Sequence, residues 1–454
     1  MKQAVVLIHG VGEQIPMDTL RGFVEAVWVD DPSLRRPRVP STVWSKPDTM
    51  SDDLELRRIT TAENRERRRT DFFEFYWAHL MRQTTWSHVR AWLRVLLFRS
   101  PRRVPPQLRG LWWLVVALLA SAALLVLAHA LGLLRFSPAL LSGLGAAWFF
   151  VGGSAVALFL RVAGDAARYL HVAPDNIEVR RHIRQAGLAL LHRLHDSGEY
   201  DRIILVGHSL GSVIGYDLLT HHWARVHQHP GGTGTSSFEE KFALEKLESL
   251  AALARADPAR FDTDAYQRAQ SDYFAILRRR GHPWLVTDFV TLGSPLAHAS
   301  YLLARGDDEL RRKIAERELP ACPPALENLG GESRFSYPVD ELRAPHHAAV
   351  FAATRWTNLY FPCRRIFWGD VIGGPVAPAF GPGVKDIPVE TPVRGDFFSH
   401  TLYWDFPSPR PAADSPPSCI AALRRALRLV QDPRPAPPPA SPRPVATSPA
   451  ASAP

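Results

Sequence analysis

A five-residue turn, Gly207-His208-Ser209-Leu210-Gly211, constrains this chain more than any other feature. The apolar run Ile203-Ile-Leu-Val206 leads into it, and Ser212-Val-Ile-Gly-Tyr-Asp-Leu-Leu219 leads out with helical spacing. A strand that passes into a helix through so short a connection must hold its central residue at positive φ. The flanking positions must then be glycine, because a side chain there would collide with backbone. Further short apolar runs at residues 4–8, 72–77, 285–291 and 356–360 lack polar alternation, as expected of strands buried on both faces. Helical patterns at residues 176–195 and 212–222 lie between them. Strands alternating with helices predict an α/β protein, a mostly parallel sheet with helices on both faces.

Charge is distributed unevenly. The chain carries 54 Lys+Arg against 45 Asp+Glu, a net charge of +9. Between Phe75 and Gly164 there is no acidic residue and there are nine arginines, so the remainder is balanced. The same stretch holds two uncharged runs, residues 111–134 and 138–160, each as long as the roughly 20 residues that cross a bilayer core. Arg99, Arg102, Arg103 and Arg109 precede the first run, Arg161 and Arg168 follow the second, and only Arg135 lies between. This pattern predicts an inserted two-helix transmembrane hairpin with both ends on the cytoplasmic side of the inner membrane. The lipid bilayer is then an expected partner. The charge surplus is assigned to membrane orientation, and nucleic acid is not expected as a partner. Residues 80–98 mix tryptophan and leucine with arginine and read as either an interfacial or a solvated helix.

These features divide the chain. Residues 1–80 form the first part of the sheet core, 81–170 the interfacial helix and hairpin, and 171–221 the core with the Ser209 turn. Residues 222–283 are expected as a helical cap over the carboxyl edge of the sheet. Residues 284–406 complete the core, and 407–454, rich in proline, are expected to be disordered, with a short amphipathic turn near residues 420–430. The N-terminus lacks the pattern of a signal peptide. Three scattered cysteines fit neither a disulfide framework nor a cysteine-based metal site. His221, His222, His227 and His229 lack a completing carboxylate or cysteine, so no metal and no cofactor is expected. Arg65, Arg67, Arg68 and Arg69, interleaved with Glu63 and Glu66, read as a solvated helix face.

The Ser209 turn is a nucleophile elbow in pattern, with Gly207 and Gly211 as its glycines, and the following helix favours negative charge beside the serine. A nucleophilic serine needs a base and an orienting acid, in the chain order Ser, Asp/Glu, His for this arrangement. His400 follows every candidate strand and is the expected base. His346 and His347 precede the best acid, and no acid-bearing strand end separates His298 from Ser209. Asp370, at a glycine-rich turn after the strand at 356–360, is the expected acid, with Asp386 and Asp396 as competitors. The oxyanion is expected to meet the N–H groups of Leu210 and of Val11, the latter in the loop His9-Gly10-Val11-Gly12, with His9 a structural residue.

Val6-Leu-Ile-His-Gly10, Gly207-His-Ser-Leu-Gly211 and Thr291-Leu-Gly-Ser-Pro-Leu296 resemble the lipase-like serine hydrolases of the α/β-hydrolase superfamily. The segments carrying Asp370 and His400 look like the acid and base segments of the same group. The resemblance covers residues 1–15, 70–80 and 175–405. It implies an α/β-hydrolase-type sheet and a serine esterase acting on carboxylic esters through an acyl-enzyme; taken with the expected hairpin, which the resemblance leaves out, it points to a membrane-anchored enzyme with lipid-like or acyl substrates. The chain departs from the pattern by starting at the third strand of that sheet and by a long connection before Asp370. The competing readings are a catalytically idle membrane scaffold that recruits partners and an acyltransferase using the same triad.

Overall fold

The structure is a computed structural model. It describes residues 2–11, 15–34, 42–51, 55–81, 100–101, 104–133, 168–170, 174–229, 237–339, 342–364, 368–390, 399–404 and 418–430.

Among the described residues an eight-stranded sheet organises the chain, in the order β12-β11-β6-β5-β1-β4-β3-β2. Strands β1 (Lys2–Ile8), β4 (Arg69–Phe75), β5 (Arg202–His208), β6 (Val286–Leu292), β11 (Arg355–Tyr360) and β12 (Lys385–Pro388) run parallel. Strands β2 (Val43–Pro47) and β3 (Arg57–Thr61) add an antiparallel edge. Small hairpins of β7 (Glu327–Leu329) with β8 (Glu332–Arg334) and of β9 (Ser336–Val339) with β10 (Leu342–Pro345) stand apart from it.

The absence of polar alternation in the central strands has a direct cause in the packing. Val6, Phe73, Leu205 and Phe289 face one core, while Val5, Leu7, Phe72, Ile204 and Val206 face a second on the other side. The first core is closed by α3 (Pro174–Asp196), α4 (Leu210–Val226), α5 (Ser237–Ala256) and α6 (Thr263–Arg279). The second is closed by α1 (Asp18–Val24) and α7 (Cys419–Leu427). A side chain at either parity of β1 or β5 therefore removes apolar surface from water, worth about 1.5–3 kcal/mol for each large aliphatic residue. Close approach of α3 to α4 depends on Gly187, where a Cβ would stand 2.6 Å from Leu218 Cδ1.

After β1 the chain builds toward β4 and the antiparallel edge; after β5 it builds the other way, toward β6, β11 and β12. The loops leaving the carboxyl ends of β1 and β5 therefore diverge, which opens a crevice at that point of the sheet. Ser209 lies there.

The predicted transmembrane hairpin is overturned. Among the described residues no helix is long and apolar enough to cross a membrane. Helix α2 (Pro106–Ala130) overlaps the first uncharged run but is out of step with it. It opens with Gln107 and Arg109 in its first turn and closes with His129 in its last. A count of uncharged residues also gives alanine, glycine and serine the same weight as leucine, although they gain far less on leaving water. The second run, residues 138–160, and the stretch 82–98 lie outside the described residues. The orientation expected from the flanking arginines rested on that hairpin.

The expected cap is also placed differently. Helices α5 and α6 lie against a face of the sheet, with Leu244, Leu247, Tyr266, Ala269 and Tyr273 in the first core. Gln270 Nε2 donates to the carbonyls of Phe351 and Thr354, at 2.6 and 2.8 Å, at the start of β11 rather than over the carboxyl edge. Arg67, Arg68 and Arg69 stand at the β3–β4 turn and the start of β4, with Arg67 at φ 58°, rather than on a helix. Within residues 407–454, the stretch 418–430 is described, and α7 buries Cys419, Ile420, Ala422, Leu423, Ala426 and Leu427 against the second core.

Candidate active site

The turn after β5 holds Ser209 at φ 51°, ψ −128°, which aims its side chain out of the sheet. Its geometry leaves no room at the flanking positions. A Cβ on Gly207 would stand 2.5 Å from Ser212 Cα, and one on Gly211 only 2.2 Å from the Ile8 carbonyl oxygen. The strain is held in place by neighbours: Ser209 N–H donates to the Leu292 carbonyl at the end of β6 (2.9 Å), and its own carbonyl accepts from Ser212 N–H (3.0 Å) and Ser212 Oγ (2.6 Å). The hydroxyls of Ser212 and Ser294 lie 2.6 Å apart, tying α4 to the loop after β6.

His400, Asp370 and Ser209 come together. His400 Nε2 lies 2.8 Å from Ser209 Oγ, and His400 Nδ1 lies 2.9 Å from each carboxylate oxygen of Asp370. The serine and histidine are nearly buried, each 4% exposed, and Asp370 is completely so. Asp370 belongs to the loop between β11 and β12; His400 belongs to a short turn, Ser399–Thr401, whose Ser399 N–H donates to the Gly369 carbonyl.

Burial alone would raise the Asp370 pKa. His400 opposes that, together with the Gly373 N–H on Oδ1 (2.8 Å) and the Tyr403 hydroxyl on Oδ2 (2.7 Å), and holds it down at about 2. Ile372 N–H also donates to Oδ1, at 2.9 Å. The carboxylate is thus ionised in a site shielded from water, where its effect on the imidazole is strongest. Close glycines make this possible: a Cβ on Gly373 would lie 2.5 Å from Asp370 Oδ2.

Of the competing acids, Asp386 is occupied elsewhere. It accepts from Asn358 Nδ2 (2.7 Å) and from the N–H groups of Val376 and Ala377 (2.9 Å each). Asp396 lies outside the described residues. His298 meets the Val371 carbonyl and His346 that of Ala325, so neither takes the base position.

Leu210 opens α4, where first-turn N–H groups have no acceptor within the helix. The loop carrying Val11 lies against the serine, since a Cβ on the preceding Gly10 would stand 2.9 Å from Ser209 Cβ. His9 is built into this loop. Its ring stacks on Trp77 at 5.0 Å, its Nδ1 faces the Gly10 carbonyl (2.8 Å), and its Nε2 accepts from Trp77 N–H (3.3 Å). Burial lowers its pKa to about 4.

Two participants were not singled out by sequence reasoning. Tyr403 is invisible in a search for titratable triad members, although its spacing of three from His400 is a signal. His208 counts only as the variable position of the turn, yet its Nε2 meets the His400 carbonyl at 2.8 Å. Among the described residues no group of three His, Cys, Asp or Glu side chains is arranged to hold a metal ion.

Comparison of the chain with protein-family models, with curated proteins and with solved structures finds no match. The fold is α/β with a mostly parallel sheet, and the functional reading rests on the site itself.

Proposed function

We propose that this chain is a serine hydrolase that cleaves carboxylic esters through an acyl-enzyme. The observation that carries the reading is the 2.8 Å approach of Ser209 Oγ to His400 Nε2, with Asp370 on the far side of the same ring. Ser209 attacks the ester carbonyl while His400 takes its proton. Asp370 holds the imidazole with Nδ1–H toward itself, which leaves Nε2 free to accept, and stabilises the imidazolium once formed. The N–H groups of Val11 and Leu210 receive the oxyanion. His400 then returns the proton to the leaving alcohol, and water, deprotonated by the same imidazole, releases the acyl group.

The resemblance to lipase-like α/β-hydrolases suggests acyl or lipid-like esters as substrates. No membrane anchor is part of this proposal. The test is hydrolysis of esters of graded acyl length by the full chain, with Ser209→Ala as control. Activity that disappears in the variant supports the reading, and a preference for long chains supports lipid-like substrates. Equal turnover by wild type and Ser209→Ala contradicts it.

A further inference from the structure

We propose that His208, the residue before the nucleophile, is a positioning residue that sets the height of the catalytic imidazole by holding the backbone of His400. This inference rests on the serine-hydrolase reading. Its ground is a cross-link between two elements that are 192 residues apart in the chain: His208 Nε2 and the His400 carbonyl oxygen lie 2.8 Å apart and are buried. A carbonyl only accepts, so Nε2 carries the hydrogen and donates, and Nδ1 carries the lone pair.

Several contacts among the described residues place the turn that bears His400. The Tyr403 hydroxyl reaches Asp370, Trp404 packs edge-on against Phe23 of α1, and Ser399 N–H reaches Gly369. His208 touches the same turn at three rings, with centroids 5.1 Å from His400, 5.7 Å from Tyr403 and 5.1 Å from Trp404. It is also the only one of these groups that sits on the strand carrying the serine. The His208–His400 bond therefore fixes the base relative to the nucleophile directly, whereas the others fix it relative to the acid loop or to α1.

A histidine 5.1 Å from the catalytic ring would be a poor choice if it ionised, because two imidazolium ions so close would repel during each turnover. Burial first, and then the neighbouring His400, keep the His208 pKa down at about 3. The ring remains a neutral donor when His400 takes the serine proton. The groups facing it from packed elements are His400 and Asp370 from the acid and base loops and His9 from the β1 loop. The loop after β1 closes its other side, since a Cβ on Gly10 would lie 3.1 Å from His208 Nδ1.

The test compares His208→Phe, which keeps a ring but loses the donor, with His208→Gln, whose side-chain amide nitrogen reaches about as far as Nε2. Steady-state kinetics on p-nitrophenyl butyrate and fluorophosphonate labelling of Ser209 are measured in the full chain, with thermal unfolding as a folding control. A displacement of the base by a fraction of an ångström to one ångström costs about ten- to a hundredfold in rate. The expected result is a kcat loss of that size in His208→Phe with KM unchanged, slowed labelling, and recovery to within about threefold of wild type in His208→Gln. If His208→Phe does not fold, His208→Gln and His208→Asn replace the pair, with Asn, too short to reach, expected to show the loss. Equal kcat in donor and non-donor variants overturns the inference while leaving the hydrolase reading intact. Absence of labelling and turnover in folded wild type overturns the hydrolase reading, and the inference with it.

Discussion

The hydroxyl of Tyr403 donates to Asp370 Oδ2 at 2.7 Å, on the same carboxylate that receives His400 Nδ1. Both groups are buried, and burial, together with the neighbouring carboxylate, keeps the phenol protonated well above its ordinary range. Asp370 is therefore oriented from three directions, by a phenol, by two backbone amides and by the imidazole itself. Removing the hydroxyl in Tyr403→Phe takes a donor from the charged form, so the carboxyl pKa rises and the imidazole is held less firmly. The expected cost is about three- to tenfold in kcat with KM unchanged, measured by steady-state ester hydrolysis.

Asp370→Asn should be far more damaging. Two amide donors already occupy Oδ1, so the substituted side chain keeps its oxygen there and presents its NH2 to His400 and Tyr403. The imidazole must then turn its lone pair toward residue 370 and its hydrogen toward Ser209. That tautomer cannot accept the serine proton, and kcat should fall by about 10³–10⁴-fold with the fold intact by circular dichroism.

The elbow glycine Gly211 is tested through stability. Its added Cβ would meet the Ile8 carbonyl at 2.2 Å, a contact with backbone in the middle of the sheet that no rotamer relieves. Gly211→Ala is expected to cost about 3 kcal/mol or more in urea unfolding. Gly198→Ala is a useful contrast, because nothing lies within 4 Å of its Cβ and only its positive φ opposes the change. It should cost about 1 kcal/mol.

A pH effect is expected away from the triad. Glu74 on β4 is buried and accepts from Met17 N–H at the start of α1, 2.8 Å away. Burial, aided by Asp18 and opposed by the Met17 amide, raises its pKa to about 7. The folded state thus keeps a proton that the unfolded chain gives up near pH 4.5. Its contribution to stability is fully present below about 4.5 and is lost as pH rises through about 7. Glu74→Gln, which keeps an acceptor for Met17, should flatten that part of the stability–pH curve by up to about 3 kcal/mol. Urea midpoints at pH 4.5 and 8 measure it.

The central strands were legible because short apolar runs without alternation have few other uses: β1, β5, β6 and β11 fall within a residue or two of the expected positions and β4 within three. Strands β2, β3 and β12 were not, since Val43–Pro47, Arg57–Thr61 and Lys385–Pro388 are short, carry charged residues and lie at or next to the margins of the sheet, so none offers a long apolar run to reveal it. Ser209, Asp370 and His400 could be nominated separately because turn chemistry and chain order narrow each choice. Tyr403 and His208 could not, because their roles exist only once distant loops meet. The hairpin expectation failed on a different point: the letters of residues 111–134 show what is uncharged, not where a helix begins and ends.

The most direct measurement is covalent labelling of the folded full chain with a fluorophosphonate, followed by mass spectrometry of the modified peptide. Ser209 activated by His400 and Asp370 predicts one adduct, on Ser209, lost in Ser209→Ala and slowed by about 10³-fold or more in His400→Ala. A folded protein that takes up no label at Ser209, or labels equally with His400 removed, would contradict the account.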